Sequence, residues 1–216
     1  MNIVKPGFEI MSSNDYQSMI KKVEKVGRVC YKSEDRIADG TAETFIKNII
    51  KRGHEAVIEH ESITVRVICD RGVTHEIVRH RIASYSQEST RYCNYNKDRF
   101  DSQISCIDIA TGFHYDLNDE TDRRKYEVWQ EAMNAAEKAY FQLIELGAKP
   151  QEARSVLPNS LKTELVMTMN MREWRHFFRL RADTAAHPQM RELAIMLLKE
   201  FMVQFPVFFE DLADLA

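Results

Sequence analysis

Glycine and proline are scarce in this chain, 7 and 5 among 216 residues. So few breakers argue against an all-strand barrel or sandwich and predict long helices. Cysteine is rarer still, with 4 residues at positions 30, 69, 93 and 106 and no CxxC pair. That pattern excludes a zinc knuckle or a thioredoxin-like site and reads as free thiols in a reducing compartment. An excess of positive charge is also missing, since the formal net charge is -3. A protein whose main partner is nucleic acid usually carries a strong basic balance, so only a local basic patch stays open. No run approaches 18 apolar residues, and no membrane span is expected. The opening MNIVKPGFEIM has no basic region followed by an apolar run. No signal peptide is expected from it, and a cytoplasmic location is.

Familiar chemical motifs are absent as well. There is no GxGxxG after a strand and no Walker loop, so the usual backbone cradles for nucleotides are not predicted. There is no GxSxG nucleophile elbow. His54-Glu55 begins like HExxH, but position 58 is Ile58, and His60 lies six residues from His54. That spacing does not place two imidazoles on one helix face, so no metal is expected. A capped turn at His54-Glu55 and a hydrogen-bonded lead-in at Glu59-His60 explain these residues as readily as a functional role.

What is present is an ordinary globular composition, 44% hydrophobic and 29% charged, enough for one domain over residues 1–216. Residues 3–10 suit a short strand or edge segment. Asp15 suits the cap of a helix carrying Tyr16, Met19, Ile20, Val23 and Val26 at helical spacing. Thr41 is placed to cap a second helix, stopped by Gly53. Residues 62–69, SITVRVIC, form the best strand, with Ile63, Val65, Val67 and Cys69 on one face. Asp70 then starts a short helix ending near residues 79–81. Residues 84–92 read as extended or loop, and residues 93–121 as a surface excursion.

Residues 123–146 form the clearest helix, with Tyr126, Trp129, Met133, Ala136, Tyr140 and Leu143 three and four apart. A buried stripe is the better account of these, because no polar groups converge on it. A short helix starts near Pro150. Residues 160–171 and 172–180 read as further helical segments. Residues 189–205 form the last helix, with Met190, Leu193, Ala194, Leu197, Leu198 and Phe201 inward and Pro206 closing it.

The stretch RHRIASYSQESTRY, residues 79–92, demands a polar explanation. Arg79, His80 and Arg81 are adjacent, and neighbours in sequence do not share a helix face. The hydroxyls that follow need partners if buried. Arg recurs at 154, 172, 175, 179 and 181, and guanidinium groups suit bidentate contact with phosphate. Any single Arg is better explained as a surface ion pair, but clustering in two segments weakens that account. Phe177 and Phe178 beside Arg179 and Arg181 also fit a nucleic-acid surface, which the acidic balance disfavours.

Three segments together resemble one family. RHR-x-x-S with its S-x-R-Y ending is similar to the signature of the flavin-dependent thymidylate synthases. RGHEAVIEH before a strand, and ARSVLP, N-x-R and LRAD in the second half, resemble the same family over residues 19–191. The resemblance implies a mixed α/β (α+β) protomer with an antiparallel sheet and long packed helices. It implies a homotetramer that binds FAD without a Rossmann domain, with active sites between subunits. The reaction implied is reductive methylation of dUMP to dTMP, with 5,10-methylenetetrahydrofolate as carbon donor and NADPH as reductant. Nucleic acid and membrane are not implied partners.

The resemblance extends to single residues. Arg79, His80, Arg81 and Ile82 match the flavin border, with Arg79 also near dUMP. Gln87 and Glu88 match the boundary between flavin and nucleotide. Ser89 and Arg91 match the residues that hold the dUMP phosphate, and Arg154 a nucleotide-binding Arg. Arg181 matches the catalytic Arg over the uracil ring. His54, Asn170, Arg172 and His176 match flavin-contacting positions. Glu76 stands near the pyrimidine where some relatives carry Gln; His176 replaces an Asn and Cys30 a Ser.

Overall fold

The chain is described from a computed structural model covering residues 1–13, 15–95 and 102–216. Its first half runs β1 (Asn2–Val4), β2 (Gly7–Ile10), α1 (Tyr16–Tyr31), α2 (Thr41–Lys51), β3 (Ser62–Asp70), α3 (Arg71–Ile77), β4 (Ala83–Gln87) and β5 (Ser105–Ile107). The second half runs α4 (Glu120–Glu145), α5 (Pro150–Ala153), β6 (Lys162–Asn170), α6 (Met171–Arg181), α7 (Pro188–Gln204) and α8 (Pro206–Phe209). One sheet has the order β2-β3-β6-β4, and β1 pairs with β5. β3 and β6 are antiparallel: the amide of Met171 reaches Glu61 O, and that of Arg71 reaches Leu161 O. The mixed α/β architecture with an antiparallel sheet and long helices expected from the sequence is present.

The chain divides into two units, and β3 and β6 pass through both. One comprises residues 1–7, 67–79 and 86–166. In it β1 and β5 run parallel, with Ile3 opposite Cys106. The helix α4 lays Met133 and Tyr140 on Tyr95, Ile104, Cys106, Ala153 and Leu161. Trp129 and Leu143 complete that face half-buried, so the apolar stripe is core. Residues 96–101, part of the expected surface excursion, lie outside the described residues.

The other unit comprises residues 8–66, 80–85 and 167–216. Asp15 caps α1 by accepting from the amide of Ser18 at 2.8 Å. Helices α1 and α2 approach closely at Gly27, where a Cβ would lie 2.6 Å from the Phe45 ring. From α6, Trp174 and Phe178 pack on Phe201 of α7, Phe178 also packs on Phe209 of α8, Phe177 packs on Trp174 and Phe178, and Trp174 on Phe178, all but the last of these ring pairs edge to face. That geometry suits the ring quadrupoles. The inward positions expected for α7 are all buried.

Two expectations are corrected and a third is extended. Residues 160–171 were expected helical, but Lys162–Asn170 is strand β6. Thr163, Leu165, Met167 and Met169 are buried and alternate with half-buried residues, the period of a strand. Leu and Met favour helices, and burial beside β3 overrides that preference. Thr41 is the first residue of α2 and not its cap. Gly40, at φ 79°, holds the cap position, and the Thr41 hydroxyl serves Glu24 and Ala38 O. Pro206 opens α8 as well as following α7.

Candidate active site

The residues singled out by sequence fall into one group in each unit. The first group surrounds residues 87–91. After β4 the chain turns, with the amides of Tyr92 and Cys93 both reaching Ser89 O. The Ser89 hydroxyl accepts from the Arg91 amide at 3.3 Å. Arg154, just after α5, donates from Nη1 to the buried Thr90 hydroxyl at 3.3 Å. Ser89, Arg91 and Arg154 are therefore brought to one turn, though 63 residues separate the two Args. Arg91 is exposed and has no ion pair among the described residues.

Gln87 is held from below. Its amide nitrogen reaches Thr74 Oγ1 at 3.2 Å and Thr163 Oγ1 at 3.4 Å. Glu88 accepts from Tyr95 at 3.1 Å and Lys162 at 3.3 Å, and its carbonyl accepts from Arg71 at 3.2 Å. Burial pulls the Lys162 pKa down, but Glu164 and Glu88 outweigh it and hold it above the ordinary value. Arg79 is exposed after α3, and Glu76 is half-buried on that helix. Arg71, Thr74, Lys162 and Thr163 were not anticipated; the helical reading of residues 160–171 concealed the last two.

The second group centres on His80, which is only 3% exposed. Its Nδ1 lies 3.0 Å from Glu173 Oε1, and its Nε2 accepts from Arg181 Nε at 3.1 Å. A guanidinium has no acceptor, so Nε2 must carry the lone pair, which leaves the proton of the neutral ring on Nδ1, facing Glu173. His80 is thus a neutral imidazole in the Nδ1–H form. Burial pushes its pKa down, the Glu173 bond works against that, and the Arg181 charge adds to it; the outcome is below the ordinary value. The Tyr85 hydroxyl donates to His80 O at 2.6 Å, and burial raises its pKa to about 12, so it remains a donor.

His176 meets the His80 ring edge-on at 5.5 Å and is exposed. Ligand atoms of His80, Glu173 and His176 lie within 4.8 Å of one another. A cation there would have to displace one of two hydrogen bonds that already occupy both His80 nitrogens, so the donor set does not favour a metal.

The other expected flavin residues divide. Asn170 caps α6 by accepting from the Glu173 amide at 2.9 Å. Arg172 pairs with Glu59 at 2.6 Å on the surface. His54 is exposed, with Nδ1 3.1 Å from the Tyr31 hydroxyl. Arg81 and Ile82 are exposed side by side, Ile82 at 68%. Arg175, counted among the phosphate candidates, is withdrawn: it is fully buried and held by Glu55, Asp211 and Phe208 O. Glu173 was missed, although an acidic residue three positions after an Asn cap is a readable helix-start signal. None of the four cysteines is in a disulfide, and burial raises the Cys69 and Cys106 thiols, the latter to about 12, which suits packing and not nucleophilic work.

Comparison with known proteins shows the family. The sequence model of the family described as "Thymidylate synthase complementing protein" matches residues 14–207. The chain belongs to the flavin-dependent thymidylate synthase family. It is 34% identical over 196 residues to the flavin-dependent thymidylate synthase of Geobacter sulfurreducens, covering 88% of this chain and 80% of that one. The corresponding protein of Mycolicibacterium vanbaalenii is 35% identical over 217 residues, covering 92% and 82%. That of Pyrococcus furiosus is 35% identical over 169 residues, covering 78% of this chain and 66% of its own length.

Proposed function

We propose that this chain is a cytoplasmic homotetramer that methylates dUMP reductively to dTMP. The carbon comes from 5,10-methylenetetrahydrofolate and the reducing equivalents from NADPH through FAD. One observation carries the reading beyond family membership: the turn at residues 89–91, with Arg154 fastened to it. A hydroxyl and two guanidinium groups there match the three-oxygen face of a phosphate monoester. Ser89 and Arg91 hold the phosphate, and Arg154 closes on it. Gln87, fixed by two threonine hydroxyls, and Glu88, fixed by Tyr95 and Lys162, present amide and carboxylate groups that need no reorganisation on binding. Glu76 and Arg79 add polar contacts to the nucleotide.

The residues of the second group suit FAD. Ile82 offers an exposed apolar surface for an aromatic ring, and Arg79 and Arg81 offer cations for a diphosphate. His54, Asn170, Arg172 and His176 supply the remaining polar contacts, while His80, whose two ring nitrogens are already bonded, serves by holding Arg181. When bound, FAD supplies the hydride, so the folate leaves as tetrahydrofolate. The chain's own part is orientation and polarisation. Arg181 steadies negative charge that develops on the uracil, a task in which a fixed cation outperforms reorganising water. No side chain is required as a nucleophile.

The test is direct. The full chain, loaded with FAD and desalted, is assayed for dTMP with dUMP, NADPH and methylenetetrahydrofolate. The expected result is dTMP formation that stops when any one component is omitted, and at least a hundredfold lower kcat in Arg181→Ala, on the order reported for loss of one transition-state donor. Absence of both retained flavin and dTMP in folded protein overturns the reading.

A further inference from the structure

We propose that Glu173 is a positioning residue that aims Arg181 through the His80 ring. The inference deepens the proposed function and rests on it for the role of Arg181 alone. The geometry is a relay anchored at both ends of one helix. Asn170 caps α6 and, through the Glu173 amide, fixes the first turn. Glu173, 8% exposed, accepts from His80 Nδ1–H and thereby leaves the lone pair of the ring at Nε2. That lone pair receives Arg181 Nε–H from the last turn of the same helix. Tyr85 ties the His80 backbone at 2.6 Å, and Phe177 and His176 flank the ring at centroid distances of 5.1 and 5.5 Å. The imidazole has little freedom to turn. A guanidinium bonded at Nε has its plane set, so the direction of its two outer nitrogens follows from the ring.

The relay has a defined failure. If the ring adopts the Nε2–H form, or takes a second proton, a donor faces a donor and the bond from Arg181 to His80 is lost. The groups facing His80 are Glu173, which favours the second proton, and Arg181, which opposes it, with His176 and Tyr85 beside them. Burial sides with Arg181. The relay therefore holds above the folded-state pKa of His80, which lies below the ordinary 6.5, and is lost as pH falls through it. Glutamine at 173 keeps an acceptor for Nδ1–H and removes the charge. Alanine removes both.

The experiment uses the full chain labelled with ¹⁵N in histidine and arginine, with and without FAD and dUMP. Imidazole ¹⁵N shifts report the tautomer, and coupling across an N–H···N bond reports the Arg181–His80 contact. Expected in the wild type at pH 7.5 is an Nδ1–H ring with the coupling present. The coupling is expected to vanish in Glu173→Ala and persist in Glu173→Gln. In the assay, Glu173→Ala is expected to lower kcat about tenfold to a hundredfold with little change in the KM for dUMP, since misplacement by about 1 Å has that size of effect. In Glu173→Gln the acid limb of kcat and the His80 titration are both expected to move to lower pH.

A wild-type ring that is Nε2–H or doubly protonated at pH 7.5 overturns the proposal. So does a coupling that survives in Glu173→Ala. If that variant does not fold, an unmoved His80 titration in Glu173→Gln overturns it instead. A chain that forms no dTMP yet shows the expected tautomer and couplings refutes the proposed function and leaves the positioning of Arg181 supported.

Discussion

Arg175 and Asp211 meet as a two-pronged ion pair, Nη1 to Oδ1 and Nη2 to Oδ2, each at 2.6 Å. The guanidinium is fully buried, and its remaining edge is taken by Glu55 at 3.2 Å and by Phe208 O. A cation so deep is tolerable because each of its three nitrogens has an acceptor. Removing it strands Phe208 O and takes a donor from the Glu55 carboxylate, while Asp211, 45% exposed, turns to water. Arg175→Met is expected to lower stability by about 1–3 kcal/mol, the usual cost of leaving buried acceptors unsatisfied. Urea unfolding at pH 7 measures it, and a loss under about 1 kcal/mol would contradict the assignment.

The same cluster predicts acid sensitivity. For Asp211, burial opposes ionisation, but the Arg175 bond and charge outweigh it. For Glu55, burial is likewise outweighed by Arg179 and Arg175. Both carboxyls are held below their ordinary values. A depressed folded pKa gives stability that is complete above the unfolded value and lost as pH falls through the folded one. Unfolding midpoints of the wild type are expected to drop as pH falls below about 4, the ordinary carboxylate range. In a Glu55→Gln, Asp211→Asn variant the midpoint at pH 7 should be lower and the acid dependence shallower. Parallel pH curves for the two proteins would refute this.

Gly27 tests the contact of α1 with α2. Alanine in a helix interior is worth about 1 kcal/mol over glycine, so an open site would be stabilised. Here the added Cβ lands 2.6 Å from the Phe45 ring and 3.0 Å from Val57. Phe45 is confined on its face by Arg28, whose guanidinium carbon lies 4.6 Å from the ring centre. Overpacking costs about 1–3 kcal/mol and should win. Gly27→Ala is expected to be destabilised, and Phe45→Leu in the same chain to recover part of the loss. A stabilised single variant would show that the helices separate freely.

How much of this was legible in the sequence depends on which signals compete. Asp15, Asp70 and the alternating SITVRVIC were readable because cap chemistry and a period of two are local. The stripe of α4 was readable because a long helix repeats its pattern many times. β6 was not, because Leu and Met suit helices and the decisive fact, pairing with β3, is remote in sequence. Among site residues, the basic and hydroxyl side chains of residues 79–91 announced themselves by composition. Thr163 acts by holding Gln87 still, which leaves no mark of its own in one sequence, and the Asn170 cap signal marks Glu173 as a helix start without showing its contact with His80. β6 gives a direct check: Leu165→Ala should cost about 2–5 kcal/mol, and alanine at the neighbouring half-buried Val166 clearly less. Equal costs would argue against the alternation.

The turn at residues 89–91 gives the sharpest functional prediction, because it separates phosphate recognition from everything else. Arg91 is exposed and without an ion pair among the described residues, so its removal strands no buried partner and should leave folding intact. Hydrogen bonds to charged groups are worth about 1.5–3 kcal/mol, which corresponds to roughly tenfold to more than a hundredfold in binding. Arg91→Ala is therefore expected to raise the KM for dUMP by about that factor while kcat changes much less. Deoxyuridine, which lacks the phosphate, should bind the wild type and the variant equally poorly. Arg154→Ala should resemble Arg91→Ala, and the double variant should fall short of the product of the two, since both Args act on one group. Equal weakening of dUMP and deoxyuridine in Arg91→Ala would show that the side chain supports the turn and does not read the phosphate.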